Sequence, residues 1–559
     1  MENLASSDHD EATIRKLLLP LTWRVNENDL LQLAQKFSET YRLLAKTSTE
    51  HFLTTPVTIL PTGKERGKFL SIDVGGTNLR VGFIELLGED ENGSPLCVPG
   101  ALASNVPKIR RSHEKAWPIE EHLKMDQAED LFVWIGECIA EVITDALEEA
   151  SSVDFACAEA PFGEELPLGI TFSFPMNQTS MSEATLMPMG KGFAITSDLN
   201  LGKMLLAGYG RHVQERSTNG ELHNAEKTSS NKKGKPSELP NLRIAAITND
   251  TVATFASLAY AVRSTANSRV AMGLIVGTGT NATVPMSLDY LHPAKIEELI
   301  FPGNADPKKT VVINTEWTIR GTDAPLVDLG IKTKWDLELD RNSEAPGFQP
   351  FEYMTAGRYL GEIVRLVLLD ALSSENDGIE LPAALKQKNS ISTRFLSTVV
   401  ARANKKLDVK LEALFPAPSS QSGIFWTEER TNLLRAIARA VQVRSSALIA
   451  AAIVGLLDCV KDIQLNISKL AGSDLVGNAK QNGNRDLHAE HDMEELVVAY
   501  AGGTISQYPN WLETCQNWID VLVRKGSVPN QSKRVVLREA LDGGIIGAAV
   551  LAGMTDSAA

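Results

Sequence analysis

The stretch FLSIDVGGTN, residues 69–78, decides the fold of this 559-residue chain. An apolar run of strand length ends at two glycines and is followed by a second apolar run, which predicts two antiparallel strands joined by a tight turn. The stretch MGLIVGTGTN, residues 272–281, has the same plan, with Thr and Asn beside the turn glycines. Two such hairpins in separate halves of the chain predict two related lobes that face one cleft.

The rest of the chain alternates short apolar runs with stretches of helical periodicity, separated by Gly-rich turns. This alternation favours an α/β fold with mixed sheets. Residues 129–149 predict a helix, because their apolar side chains recur at helical spacing. Residues 213–240 and 472–494 are polar, have few large apolar side chains, and are predicted to be flexible insertions.

The composition is that of an ordinary globular protein, with 43% apolar and 22% charged residues. The 70 acidic and 55 basic side chains give a formal net charge of −15. An acidic balance argues against nucleic acid as a partner, because a phosphate backbone needs clustered Lys and Arg. A single nucleotide needs only a few hydrogen-bond donors and stays possible.

The cysteines and the apolar stretches bear on the cellular compartment. The chain has five cysteines and no Cys-x-x-Cys pair, which argues against a disulfide framework or a zinc site and favours a reducing compartment. The polar, acidic N-terminus does not have the pattern of a signal peptide. The most apolar stretch, 447–457, is too short to span a membrane. A cytoplasmic protein is expected, with nuclear or organelle-surface association left open.

The first hairpin could bind phosphate. Glycines at a turn let backbone N–H groups approach an anion, and Asp73 beside Gly75 and Gly76 could hold Mg²⁺ through water. The alternative is a purely structural turn, since Gly, Thr and Asn all suit tight hairpins. The presence of a second such hairpin favours phosphate binding. The chain has no P-loop, dinucleotide-binding motif or protein-kinase catalytic loop, so a nucleotide would be held by these turns.

Asp250 lies between the apolar run 244–247 and a predicted helix. An Asp at the start of a helix is either a helix cap or, at the edge of a cleft, a base that accepts a proton from a substrate hydroxyl. Other small polar or charged side chains have apolar neighbours, as a sugar site requires. These residues are Ser173, Lys191, Glu316 and Glu352.

Four motifs, in this order, resemble those of the eukaryotic hexokinases and glucokinases. They are DVGGTNLR at 73–80, NDTV at 249–252, GTGTN at 277–281 and MTAGRYLGE at 354–362. The resemblance covers about residues 60–554, interrupted by the two polar insertions. It implies an α/β, two-lobed, actin-like (ribonuclease-H-like) ATPase fold with a central cleft. It also implies ATP-dependent transfer of a phosphoryl group to the 6-hydroxyl of glucose or a related hexose, with Mg-ATP as donor.

The resemblance assigns roles by motif position. Asp250 would be the catalytic base. The sugar would be held by Ser173, Lys191, Asn249, Asn281, Glu316 and Glu352. The nucleotide would be held by Asp73, Gly75, Gly76, Thr77, Asn78, Arg80, Thr278, Thr504 and Gly543. No side chain is assigned as a direct metal ligand.

The resemblance also implies a division of the chain. N-terminal helices in residues 1–66 would pack on the large lobe. Residues 67–250 would form the small lobe, with the insertion 213–240, and residues 251–535 the large lobe, with the insertion 472–494. Residues 536–559 would return to the small lobe.

Three positions depart from the family pattern. Gly190 stands where a Thr usually precedes the sugar-binding Lys, Gly502 replaces an Asp of the second phosphate loop, and Ile545 replaces a Gly of the adenosine loop. Such departures resemble those of atypical fungal hexokinase-like proteins. They suggest a second hypothesis, in which the chain is a sugar-sensing regulator with weak or no turnover and a possible protein partner. They predict weak ATP binding that Gly502→Asp with Ile545→Gly would improve. The intact Asp250 favours the kinase.

Overall fold

The structure is a computed structural model, and the residues that it describes are 12, 14–89, 108–120, 122–123, 128–152, 165–174, 176–186, 199–225, 239–262, 267–297, 310–374, 380–402, 406–419, 423–465, 493–527, 530 and 532–556. Contacts divide the chain into two compact units. Unit 1 comprises Met1–Phe52, Ala266–Val284 and Thr315–Glu539, and unit 2 comprises Leu53–Thr265, Pro285–Asn314 and Ala540–Ala559. The lobe boundaries expected from the sequence stay predictions.

The strands and helices have the following bounds. The strands are β1 Leu53–Thr54, β2 Gly67–Val74, β3 Asn78–Leu86, β4 Ile109–Pro118, β5 Glu165–Phe172, β6 Met176–Ser180, β7 Glu183–Leu186, β8 Asn241–Thr248, β9 Ser268–Val276, β10 Thr280–Ser287, β11 Thr310–Asn314, β12 Glu494–Ala501 and β13 Lys533–Glu539. The helices are α1 Glu27–Thr47, α2 Ala128–Ser152, α3 Leu201–Ala225, α4 Asp250–Ala261, α5 Pro293–Glu297, α6 Ala324–Asp328, α7 Lys334–Arg341, α8 Pro350–Thr355, α9 Gly357–Ser374, α10 Ala383–Lys386, α11 Thr393–Phe395, α12 Leu407–Leu414, α13 Glu428–Cys459, α14 Gly503–Gln507, α15 Trp511–Gly526 and α16 Gly543–Asp556.

Unit 2 is built on a five-stranded sheet in the order β4-β3-β2-β5-β8. β2 and β3 form the predicted antiparallel hairpin, in which Val74 pairs with Leu79, and β5 and β8 run parallel to β2. α16 packs against β2 and β5, closely enough that a Cβ on Gly169 would lie 2.4 Å from the Ala548 carbonyl oxygen. The sheet and its helices enclose an apolar core that includes Ile72, Val81 and Ile170.

Unit 1 repeats this plan with neighbouring strands in the order β10-β9-β12-β13. β9 and β10 form the second predicted hairpin, in which Val276 pairs with Thr280, and β12 and β13 run parallel to β9. Each unit therefore has an antiparallel hairpin whose first strand is followed by two parallel strands. The internal similarity predicted from two short motifs is confirmed as a shared topology.

The long helix α13 forms much of the core of unit 1. It packs against α1, and a Cβ on Gly455 would lie 2.5 Å from the Ala34 carbonyl oxygen. Among the described residues it is the one helix long and apolar enough to cross a membrane, which the apolar run 447–457 alone did not predict. Because 94% of its apolar window is buried inside the protein, its length and composition are weak evidence for a span.

The predicted helix at 129–149 is confirmed by α2. α3 extends to Ala225 and so enters the segment 213–240 that was predicted to be flexible. Residues 226–238, and nearly all of the second predicted insertion, lie outside the described residues.

Candidate active site

The predicted site residues of unit 2 follow the ends of three neighbouring strands. Gly75 and Gly76 follow β2, Ser173 follows β5, and Asn249 with Asp250 follows β8. Because these strands are parallel, their carboxyl ends lie at the same edge of the sheet, where α/β proteins bind ligands. The Ser173 amide donates to the Val74 carbonyl oxygen over 3.0 Å, which ties the ends of β5 and β2 together.

The turn between β2 and β3 exposes its backbone. The Gly75 amide donates to the Asn78 carbonyl oxygen over 2.9 Å, which closes the turn. A Cβ on Gly76 would meet no atom within 4 Å, and the side chains of Thr77 and Asn78 are exposed. The space beside Gly76 is thus open to a ligand, as a phosphate held by backbone amides requires.

Asp73 lies just before this turn. Burial and the negative charge of Asp250 raise the pKa of Asp73 to about 7, although Arg80 acts in the opposite direction. A Cβ on Gly544 would lie 2.3 Å from the Asp73 carboxylate, so only glycine fits there without a shift. Two carboxylates that repel each other suit a site whose substrate carries Mg²⁺, because a cation would relieve the repulsion.

The raised pKa of Asp73 makes stability depend on pH. The pKa of this carboxyl is near 3.8 in the unfolded chain and about 7 in the folded protein, so between about pH 4 and pH 7 the folded state binds more protons than the unfolded state. The stability that this proton binding contributes is lost as the pH rises through that range to 7. Asp73→Asn abolishes this titration. We expect the melting temperature of the variant, minus that of the parent, to increase by a few degrees from pH 5 to pH 8 in EDTA. If this difference in melting temperature does not change with pH, the pKa of Asp73 is not raised in the folded protein.

Asp250 is the first residue of α4, and its neighbour caps the helix. The Asn249 side-chain oxygen accepts hydrogen bonds from the Thr251 amide at 3.0 Å and from the Thr251 hydroxyl at 2.8 Å. The alternative role of Asp250 as the cap is therefore wrong. Since both lone pairs of the Asn249 oxygen are engaged, a sugar contact from Asn249 would come from its amide nitrogen.

Arg80 is engaged by a carboxylate that also binds a second arginine. Asp542 accepts from Arg80 over 2.6 Å and from Arg111 over 2.6 Å. Burial acts to raise the pKa of Asp542, but the two arginines outweigh it and the pKa lies below its usual value. The sequence did not predict Arg111, which lies in β4 outside every motif. Within unit 2, Asp542 fixes Arg80 beside the start of α16.

The start of α16 is closely packed. A Cβ on Gly543 would lie 3.1 Å from the Thr254 Cα, and Ile545 is fully buried with its carbonyl oxygen bound by the Ser71 hydroxyl. A fully buried side chain cannot obstruct a nucleotide that approaches from solvent. This burial argues against a direct clash between Ile545 and the nucleotide, and the predicted weak binding of ATP stays a prediction.

Unit 1 brings three predicted sugar-binding residues together. The side-chain amide nitrogen of Asn281 donates to the Glu316 carboxylate over 3.1 Å. The backbone N–H of the preceding residue, Thr280, donates to the Glu352 carboxylate over 3.1 Å. Glu316 and Glu352 are 8% and 2% exposed. Two nearly buried carboxylates and one amide thus converge at the start of β10, which is the donor and acceptor set that sugar hydroxyls need.

The second hairpin contacts the loop after β12. The Thr504 hydroxyl donates to the Gly277 carbonyl oxygen over 3.0 Å, while Thr278 at the hairpin tip is exposed. Gly502 has φ +120°, and a Cβ there would lie 2.5 Å from the Val276 carbonyl carbon and oxygen. The backbone at 502 thus favours glycine, and we expect Gly502→Asp to disturb the hairpin instead of restoring a nucleotide contact.

Lys191 and Gly190 lie outside the described residues. Of the predicted sugar-binding residues that are described, Ser173 and Asn249 lie in unit 2, and Asn281, Glu316 and Glu352 lie in unit 1. Among the described residues no group of three or more His, Cys, Asp or Glu side chains is arranged to hold a metal.

Comparisons with known proteins agree on one family. Two family models, both described as hexokinase, match residues 19–260 and 271–554. Hexokinase-2 of Solanum tuberosum is 30% identical over 500 residues, which cover 88% of this chain and 80% of that protein. Human hexokinase-2 is 27% identical over 445 residues, covering 78% of this chain and 40% of that protein.

Solved structures give the same result. The hexokinase of Schistosoma mansoni, solved in complex with glucose, matches with a TM-score of 0.67 and 25% identity, covering 98% of this chain and 99% of that one. A second hexokinase crystal structure matches with a TM-score of 0.63 and 21% identity, covering 98% of this chain and 100% of that one. The predicted α/β, two-lobed fold class is confirmed.

Proposed function

This chain belongs to the hexokinase family and is an ATP-dependent hexose kinase, and we propose that glucose is its substrate and Mg-ATP its phosphoryl donor. The observation that carries the assignment of the base is the position of Asp250. It is the first residue of a helix that Asn249 caps, at the carboxyl end of β8. Its carboxylate is therefore not required as a cap, and it lies at the sheet edge where substrates bind.

The reaction needs a base and a means to stabilise charge. Asp250 takes the proton of the sugar hydroxyl while the hydroxyl oxygen bonds to the γ-phosphorus and the bond to the leaving oxygen of ADP breaks. The open backbone at Gly76, with Arg80 fixed by Asp542, provides donors for phosphate oxygens.

Bound with ATP, Mg²⁺ would supply positive charge that offsets the negative charge of the phosphates. The residue that would hold it, through water, is Asp73. The fit rests on the surroundings of Asp73: burial first, and then the negative charge of Asp250, raise the pKa of its carboxyl, and a nearby cation would favour the charged carboxylate.

Glucose is proposed as the hexose on two grounds. The related hexokinase of Schistosoma mansoni was solved with glucose bound. In this chain, the buried carboxylates of Glu316 and Glu352 and the half-buried amide of Asn281 form a polar cluster suited to several hydroxyls. Ser173, Lys191 and Asn249 complete the proposed sugar contacts.

The regulatory alternative loses its support at two of the three residues that suggested it. The backbone conformation of Gly502 favours glycine, and Ile545 is buried, so neither indicates loss of the nucleotide site. The finer resemblance to atypical fungal proteins finds no support in the relatives described above, which come from a plant and from animals. A protein partner would be specific to that alternative.

A coupled assay tests the proposal. Purified protein should phosphorylate glucose with Mg-ATP, and titration calorimetry should detect both ligands. Other hexoses, and ATP in EDTA, serve as controls for sugar and metal dependence. If the protein binds glucose but shows no turnover at any ATP concentration, the kinase assignment fails and the sugar-sensing regulator is favoured. If another hexose is phosphorylated and glucose is not, the proposal that glucose is the substrate fails.

A cytoplasmic location is part of the proposal. Among the described residues, Cys138, Cys459 and Cys515 are free thiols and all are buried, which suits a reducing compartment.

A further inference from the structure

Glu316 has an unusual backbone. Its φ of +46° lies in the left-handed region, which costs free energy for a residue with a Cβ and persists only where the surroundings impose it. The carboxylate nonetheless reaches the Asn281 amide at 3.1 Å. The residues that hold this backbone therefore determine where the carboxylate lies.

The segment that follows α1 secures the backbone on both sides of Glu316. The Phe52 amide donates to the Thr315 carbonyl oxygen over 3.0 Å. The His51 ring nitrogen Nε2 donates to the Arg320 carbonyl oxygen over 3.0 Å. These contacts fix the backbone on either side of the strained residue, and both come from the N-terminal part of the chain.

Aromatic rings link Glu316 to Glu352. Trp317 follows Glu316 and Phe351 precedes Glu352, and their rings meet edge to face with centroids 6.2 Å apart. Trp317 also stacks on Tyr41 of α1 at 6.3 Å. The three rings are fully buried, so each has little space to move.

α1 contacts the second carboxylate through another ring. Phe37, one helical turn from Tyr41, lies 5.3 Å from Phe351 and 5.5 Å from Tyr41. One face of α1 therefore packs against the residues adjacent to both Glu316 and Glu352.

We propose that Tyr41 and Phe37 are positioning residues for Glu316 and Glu352, so that α1 sets the affinity for the sugar although it bears no sugar-binding side chain. The inference rests on the proposed function, because it takes Glu316 and Glu352 to be sugar contacts. It adds a determinant of affinity in a part of the chain where no motif predicts one.

Tyr41→Ala tests the inference. It removes the ring that stacks on Trp317, so we expect the Kd and the KM for glucose to increase about tenfold while the KM for ATP stays within twofold. Tyr41→Phe keeps the ring and removes a hydroxyl that is buried without a hydrogen-bond partner in the described structure, so glucose affinity should match the parent. Tyr41→Leu should give an intermediate increase if the alanine variant folds poorly.

Phe415→Ala is the matched control. Phe415 is also a buried ring of unit 1, in a separate cluster with Phe395 and Trp426. It should lower the melting temperature as Tyr41→Ala does and leave the Kd for glucose unchanged. If both variants weaken glucose binding equally, the effect is general destabilisation and the inference fails.

A double-mutant cycle separates positioning from stability. In a Glu316→Gln background, Tyr41→Ala should weaken glucose binding by clearly less than the tenfold expected in the parent, because one of the two carboxylates that it positions is gone. Additive losses would overturn the inference. If the parent binds no glucose, the proposed function itself fails; if the parent binds glucose and Tyr41→Ala binds equally well, only this inference fails.

Discussion

Asp250→Asn is expected to lower kcat for hexose phosphorylation by about 10²- to 10⁴-fold, the usual effect of removing a positioned general base. Asparagine has nearly the same shape and cannot accept the hydroxyl proton as a carboxylate does. The Kd for glucose should change much less, because the polar groups of Asn281, Glu316 and Glu352 are untouched. Steady-state kinetics with calorimetry of glucose binding would measure both.

Asp408→Asn is a suitable control for this variant. Asp408 also lies in the first turn of a helix, α12, and it is exposed. Its replacement should leave kcat unchanged. If Asp250→Asn keeps the parental kcat, another group removes the proton. If both variants lose kcat equally, the loss comes from replacing an Asp in the first turn of a helix and not from loss of the base.

Gly502→Asp is expected to lower the free energy of unfolding by about 3 kcal/mol or more and to displace the backbone of the second hairpin. Its φ of +120° excludes an L side chain, and a Cβ would overlap the Val276 carbonyl at 2.5 Å. Because Val276 leads into Gly277 and Thr278, the displaced backbone should also weaken Mg-ATP binding. Thermal unfolding and calorimetry with Mg-ATP would measure the two effects.

Gly503→Asp provides the comparison. A Cβ on Gly503 would meet no atom within 4 Å, and the residue is exposed at the start of α14. It should retain the parental melting temperature, since an acidic side chain suits a helix N-terminus. Parental stability together with tighter ATP binding in Gly502→Asp would contradict the backbone argument.

The hairpins and the residues at strand ends could be predicted from the sequence because those features are local. Alternating apolar runs and turn glycines specify β2–β3 and β9–β10 without knowledge of the rest of the chain. The same holds for Asp250, whose strand and helix are adjacent in sequence. The motifs of the family then supplied roles that no spacing could give.

Contacts between distant segments could not be predicted in this way. Ile545 was compared with a family glycine, yet its burial depends on how α16 packs on the sheet. Arg111 lies in β4 and reaches Asp542 only because the sheet and α16 come together. The family motif alone indicates a lost carboxylate at Gly502, whereas its φ and its contact with Val276 depend on the fold.

The packing of α16 on β2 and β5 has a consequence for folding during synthesis. α16 is translated after every described strand of the protein, including those of unit 1. Until it leaves the ribosome, the apolar face of β2 and β5 that it covers stays exposed to solvent. Such a surface promotes aggregation of a nascent chain. The five-stranded sheet of unit 2 can therefore complete its apolar core only after α16, the last described helix, has been made.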